Sequence, residues 1–262
     1  MKFGKITNPM KDILGEIKIV HDLGFDYVEI VIEGPAETPE IILKEKKKVL
    51  KLLKKYKLFA IAHTFWSMEL GSDYEPVRKG WLEEGKKIIR LCNELEIRLV
   101  NFHSHSRGLY IKDKKGKKTV LNNLIRSLRE LVEYGKKYNV EVMLENAAES
   151  YEITDLKDFK YIIDRVPDLK VHLDIGHAFL YGGMKNIENF IKIFKNKIVH
   201  IHIHDNNGKW DEHLPLGAGS IDYKKVIKFL KKIKYNKTIT FEIFSRDLDL
   251  IEFSLKKLKK LF

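Results

Sequence analysis

Eight short runs rich in β-branched and aromatic residues, each followed by a stretch of helical period, divide this chain from end to end. The runs are Phe3–Ile6, Tyr27–Ile32, Phe59–His63, Arg98–His103, Glu141–Glu145, Lys170–Asp174, Ile198–His204 and Thr238–Ile243. Intervening segments such as Leu124–Tyr138 and Tyr223–Ile233 repeat apolar residues three and four apart, the spacing that lines one helix face. Strands separated by helices pair in parallel, because each crossover helix carries the chain back to the same end of the sheet. Eight such units in 262 residues fit the length of a (β/α)8 barrel. The fold is therefore read as α/β, a single (β/α)8 TIM barrel, with residues 1–262 forming one domain. A doubly wound open sheet is the alternative, but no Gly-rich turn follows the first strand. No sequence repeat or low-complexity linker interrupts the pattern.

Composition narrows the class. The longest apolar runs are strand-length, so no helix spanning a membrane is expected. The opening residues, MKFGKITNPM, carry neither an apolar core nor a signal-cleavage pattern, and a cytosolic location is expected. A lone cysteine rules out an internal disulfide, and Cys92, in IIRLCNEL, is read as a buried helical residue rather than a nucleophile. The net charge of +12 comes mostly from lysines on helix faces such as LKEKKKVLKLLKKY and LKKLKKLF. Solvated helix surface is favoured there over a nucleic-acid patch, although the charge suits any anion, a sugar phosphate included. Enrichment in Lys and Glu is also the composition of hyperthermophile proteins.

In a barrel of this kind, chemistry gathers at the C-terminal ends of the strands. Those ends read IAHTFW with His63, NFHSHS with His103 and His105, and MLENAAE with Glu145. The later ones read HLDIGH with Asp174 and His177, HIHIHDNNG with His202 and His204, and TFEIF with Glu242. Carboxylates and neutral imidazoles are the ligands of zinc, manganese and iron, and burying them unpaired is costly. No Lys or Arg is seen inside a strand end beside Glu145 or Glu242, which favours ligation over an ion pair. Asp174 and His177 have DxxH spacing; a helix-capping Asp is the alternative, with Gly176 and Ala178 opening a short helix. His200, His202 and His204 alternate with Ile201 and Ile203 and so share one strand face. His202 is the best-placed ligand, His204 and Asp205 lie at the rim, and His200 is as readily a satisfied core histidine. Asp211 and His213, in GKWDEHLPLGAGSID, are ligands or ordinary turn residues. His105 is an alternative to His103, His21 is assigned to helix surface, and His172 is expected to point away from the mouth. The loop after the fourth strand, SHSRGLYIKDKKGKKT, holds Arg107 and Lys112, Lys114, Lys115, Lys117 and Lys118, a phosphate clamp or a solvated loop. Trp66 and Tyr110 are loop aromatics able to stack on a sugar or base, or to shield the site.

The segments LENAA, HLDIGHAF and HIHIHDNNGKWDEHLPLGAGSID resemble the xylose isomerase-like barrel superfamily, over nearly the whole chain. That superfamily includes sugar-phosphate isomerases and epimerases and the apurinic endonuclease IV family. The resemblance implies a central divalent ion held by Glu145, Asp174, His202 and Glu242. In the isomerases and epimerases this ion, commonly manganese, polarises sugar oxygens, and Glu145 and Glu242 act as acid and base. The endonuclease branch implies three zincs: His63, His103 and Glu145 for one, the central four for another, and His177, Asp211 and His213 for the third. HTFWSMEL also looks like that branch's third-strand loop. Three features depart from it. NFHSHSRG lacks a Pro-Gly after the histidine, LDIGH replaces LDTCH, and the DNA-intercalating loop residues are not recognisable. Loops carry substrate identity. The leading expectation is thus a zinc- or manganese-dependent isomerase or epimerase of a small sugar or sugar phosphate, with Trp66, Arg107 and His204 contacting substrate or phosphate. A three-zinc endonuclease acting on abasic DNA is the alternative. A metal-binding barrel without catalysis is a third class, against which the complete ligand set argues. No interface signal separates from helix surface, so the sequence assigns no oligomeric state.

Overall fold

The computed structural model describes residues 1–105, 113–148 and 155–262. Eight strands, β1 (Lys2–Ile6), β2 (Tyr27–Ile32), β3 (Phe59–Thr64), β4 (Leu99–His103), β5 (Glu141–Glu145), β6 (Lys170–Asp174), β7 (Ile198–Ile203) and β8 (Thr238–Phe241), lie in sequence order. Each is parallel to its neighbour, and β8 pairs with β1 to close the barrel. The expected (β/α)8 fold is the observed one, and an open sheet is excluded. β7 and β8 stop short of the expected His204 and Ile243, so His204 and Glu242 leave the ladder where they reach the mouth.

The helices are α1 (Ile13–Asp22), α2 (Pro39–Tyr56), α3 (Glu75–Glu94), α4 (Lys114–Lys137), α5 (Leu156–Arg165), α6 (Ile175–Leu180), α7 (Gly183–Phe194), α8 (Tyr223–Lys232) and α9 (Leu248–Lys259). Most begin at a side chain that accepts a first-turn N–H: Asp12, Thr38, Asp113, Asp155, Asp174, Asp222 and Asp247. Such caps satisfy amides that no preceding turn can reach. The Asp113 cap starts α4 ten residues before the expected Leu124. Lys114, Lys115, Lys117 and Lys118 are therefore helical rather than part of a loop, and Lys117 pairs with Asp158 of α5. Arg107, Tyr110 and Lys112 lie outside the described residues.

Outward-facing strand residues such as Val28, Ile30, Val100, Phe102, Val171, Leu173, Ile201 and Ile203 pack against helix residues such as Ile17, Leu128, Phe159, Phe190 and Val226. Each such burial is worth about 1.5–3 kcal/mol. Inside the barrel, Tyr27, Ile61 and Met143 belong to a separate apolar cluster. Gly4 makes room for the Tyr27 ring, since a Cβ there would lie 2.2 Å from Cε2. Glu29, Asn101, His172, His200 and Thr240 are also buried, on strand faces that the two-residue alternation turns inward, where barrels ordinarily stack branched apolar residues.

Cys92 is buried in α3, and burial pushes its thiol up, which suits packing rather than attack. His21 is exposed and stacks on Tyr56. The α2 lysines Lys47, Lys48, Lys51, Lys54 and Lys55 are exposed, as expected of solvated helix surface. Among the described residues no helix is long and apolar enough to cross a membrane.

Candidate functional site

Parallel register sets the site. His103, Glu145 and His172 lie side by side on β4, β5 and β6, and Asp174, His202 and Thr240 do so on β6, β7 and β8. Glu145 is the hub of the first group. Its Oε2 lies 3.1 Å from His103 Nε2, 3.2 Å from His172 Nδ1 and 3.5 Å from His63 Nε2, and it accepts from Asn101 Nδ2 at 2.7 Å. Its Oε1 is 3.5 Å from His177 Nδ1.

His202 links the second group. Its Nδ1 is 3.0 Å from Glu242 Oε2 and 3.8 Å from Asp174 Oδ2, while its Nε2 is 3.0 Å from Glu29 Oε2. Asp174 meanwhile caps α6 by accepting from the His177 amide at 2.6 Å through Oδ1, while its Oδ2 is buried without a hydrogen bond.

Asp211 centres the third group. Its Oδ2 is 3.2 Å from His177 Nε2 and 2.9 Å from His213 Nε2, and its Oδ1 is 3.5 Å from His204 Nε2. This loop is more than turn chemistry. Asp205 bridges to Leu214, and its carboxylate accepts from the Asn206, Gly217 and Ile221 amides, which fixes the loop from below. His213 sits at φ 48°, a left-handed conformation uncommon for a side-chain-bearing residue.

His63, Trp66, His103, Glu145, His177, Asp211, His213 and Glu242 line one cavity of about 700 Å³. Asp174, His202 and His204 are fully buried and do not line it. Trp66 is 43% exposed and meets His105 edge-on, so His103 rather than His105 is the imidazole at Glu145.

Charge is concentrated here. Burial opposes ionisation of Glu145, but His172 and His103 hold its carboxyl well below the usual range. Burial likewise opposes Glu242, yet His213 and His202 pull it down to about 2. His213 is pushed up to about 9 because Glu242 and Asp211 outweigh its burial. His177 and His202 rise well above the ordinary imidazole value against their burial, His177 facing Asp174, Asp211 and Glu145 and His202 facing Glu29, Glu242 and Asp174. Several imidazoles have one nitrogen held by a fixed acceptor: His177 Nδ1 donates to the Asn146 carbonyl at 2.8 Å and His213 Nδ1 to the Glu242 carbonyl at 3.0 Å. That outer bond fixes the ring and frees the other nitrogen for the shared space, the usual setting of a metal-ligating histidine.

Two sequence readings need correction, and His200 resolves to one of its two alternatives. His172 points inward, not away from the mouth; the two-residue period that turns Asp174 inward turns His172 with it. A lysine does stand on a strand beside β8: Lys5, on β1. It is occupied elsewhere, with Nζ donating to the Ile6 carbonyl at 2.7 Å and lying 3.5 Å from Glu16. His200 is a satisfied core histidine, bonded to Glu29 at 2.8 Å and Thr238 at 2.7 Å.

Sequence reasoning missed Glu29, the acid in YVEIVI, and a charged residue centred in an apolar strand was the available signal. Its Oε2 accepts from His200, His202 and Thr240. Also missed were Glu33, Lys11 and Arg246, which line the cavity with Lys5. No pattern marked these, because they come from loops that only the closed barrel brings to the mouth.

A closed parallel barrel whose C-terminal mouth gathers imidazoles and carboxylates around one cavity defines a class: (β/α)8 proteins with the donor chemistry of a divalent-cation centre. Residues 17–261 match the xylose isomerase-like TIM barrel family, and the chain belongs to it. It is 36% identical over 195 residues to the uncharacterised protein MJ1614 of Methanocaldococcus jannaschii, covering 74% of this chain and 73% of that one. A crystal structure of a D-tagatose 3-epimerase-like protein superposes with a TM-score of 0.86 at 27% identity, covering 100% of this chain and 97% of that one. A probable endonuclease 4 of Thermotoga petrophila is 23% identical over 183 residues, 64% of this chain and 58% of its own length.

Proposed function

We propose that the protein is a divalent-metal-dependent isomerase or epimerase of a small sugar or sugar phosphate. The observation that carries this reading is the pair of buried carboxylates, Glu145 and Glu242, on the wall of a cavity large enough for such a substrate. The donor set fits a cation. Both nitrogens of His63, Asp174 Oδ2 and Asp211 Oδ1 are buried without hydrogen bonds, a costly arrangement that a bound cation would relieve.

Glu145, Asp174, His202 and Glu242 would hold the central ion, which supplies Lewis-acid polarisation of substrate oxygens. Glu145 and Glu242 are held as carboxylates at neutral pH by their imidazole neighbours, the form a general base requires. One removes the proton beside the carbonyl, and the other, after taking a proton from solvent, returns that proton to the opposite face. Each carboxylate has two oxygens, so ligation and proton transfer need not compete for one atom. Trp66 offers a half-exposed ring at the cavity edge for a sugar face. Likeness along the whole length of the epimerase-like structure supports this reading, whereas the chain spans 58% of the endonuclease.

A second reading, a three-zinc phosphodiesterase cutting abasic DNA, is favoured by the groupings of His63 with His103 and Glu145, and of His177 with Asp211 and His213. Incubating the metal-loaded protein with ketoses and ketose phosphates in D2O separates the two. The epimerase reading expects deuterium at the carbon next to the carbonyl, lost in Glu145→Gln and Glu242→Gln. Incision of an abasic duplex above a no-protein control, abolished by Glu145→Gln, would overturn it. A Glu242→Gln protein with full metal content and full activity sinks both.

A further inference from the structure

His204 is fully buried, and neither of its ring nitrogens makes a hydrogen bond. Its Nε2 lies 3.5 Å from Asp211 Oδ1, which is also buried and without a hydrogen bond, and 3.2 Å from Asp174 Oδ1. The His204 ring stacks on His213 at 4.1 Å and meets His177 edge-on at 5.7 Å. One ligand atom from each of His177, His204, Asp211 and His213 lies within 4.8 Å of all the others.

The spacing of these atoms is informative. Zinc bonds of about 2.0–2.1 Å set the edges of a ligand tetrahedron at about 3.3–3.4 Å. The carboxylate of Asp211 is 3.2 Å from His177 Nε2, 2.9 Å from His213 Nε2 and 3.5 Å from His204 Nε2. The first two are hydrogen bonds; the third is set at ligand spacing with no hydrogen bond formed.

Room for the His204 ring depends on Gly176. A Cβ at that position would lie 2.0 Å from His204 Cε1 and 2.3 Å from Nε2. The glycine in LDIGH, where the endonuclease pattern has a cysteine, therefore has a physical reason: it vacates the space that the His204 imidazole fills.

We propose that His204 is a fourth protein ligand at the outer ion site, beside His177, Asp211 and His213. The site is closed: four protein donors leave no position for a substrate oxygen, as in structural zinc sites. The outer ion then ties the loop carrying Asp211 and His213 to the ends of β6 and β7. Chemistry is confined to the central group of Glu145, Asp174, His202 and Glu242. The inference rests on the metal-dependent reading above.

The test compares wild type, His204→Asn, Gly176→Ala and His213→Asn, each stripped by chelation and reloaded with zinc or cobalt. Zinc per chain is read by elemental analysis, affinity by a competing chromophoric chelator, and geometry by cobalt d–d absorption. His204→Asn is expected to lose one zinc equivalent, as His213→Asn does, together with the intense four-coordinate cobalt band. Gly176→Ala keeps every donor but displaces the ring, and is expected to weaken the same equivalent by about tenfold or more. His204→Asn with wild-type stoichiometry, affinity and spectrum, while His213→Asn loses an equivalent, overturns the inference and leaves the central site standing. Wild type that binds a single equivalent does the same, and wild type that binds none overturns the functional reading as well. Should the variants not fold, zinc-soaked crystals of the wild type decide. An anomalous peak at bonding distance from His204 Nε2 supports the fourth ligand; an outer ion bonded only to the other three refutes it.

Discussion

Glu29 is the buried acid on which the site's orientation depends, and replacing it with Gln tests that directly. It is fully buried, and its Oε2 accepts from His200 Nε2 at 2.8 Å, His202 Nε2 at 3.0 Å and Thr240 Oγ1 at 2.5 Å. Burial opposes its charge, yet His202 and His200 hold it well below the usual carboxylate range. Bonds to a charged partner are worth about 1.5–3 kcal/mol and neutral ones about 0.5–1.5, so neutralising the acceptor of two imidazole bonds costs roughly 2 kcal/mol. The new amide NH2 replaces Oε1, which has no hydrogen-bond partner, and adds about 1–3 kcal/mol for a buried donor left unmet. Urea unfolding in EDTA should therefore show Glu29→Gln about 3–5 kcal/mol less stable than wild type. The mutation also releases His202 Nε2, so the ring no longer presents Nδ1 in a fixed direction, and zinc affinity should fall about 10–100-fold. Equal urea transitions with zinc affinity unchanged would refute both the assigned charge and the positioning role.

Two further outcomes follow from groups away from the donors. Burial pushes the Glu37 carboxyl up to about 8, despite the hydrogen bond it accepts from Thr7 Oγ1 at 2.7 Å. The folded chain thus holds this proton more tightly than the unfolded one. The stability it confers is complete below pH 4.5 and is lost as pH rises to about 8. Wild type should lose up to about 1.4 kcal/mol per pH unit relative to Glu37→Gln across that window, and parallel urea-stability profiles would disprove it. Gly4→Ala should destabilise by about 1–3 kcal/mol, because its Cβ would fall 2.2 Å from the buried Tyr27 ring. An unchanged urea midpoint would show that the ring moves aside freely.

The barrel, and which strand ends matter, can be read from the linear pattern alone. Alternating strand and helix periods leave few architectures, and parallel pairing fixes which strand ends face the same way. His63, His103, Glu145, Asp174, His202 and Glu242 were legible because each ends an apolar strand, where an ionisable residue needs a reason. Asp211 and His213 were legible only as a motif, since loop residues have no period to place them. Which donors meet is set by packing across the closed barrel. Lateral register puts Glu145 between His103 and His172, and barrel closure carries Glu29 of β2 to His200 and His202 of β7. The absence of a side chain at Gly176 admits the His204 ring. These are contacts between strands and loops distant in sequence, set by packing across a closed sheet, and no local period encodes them.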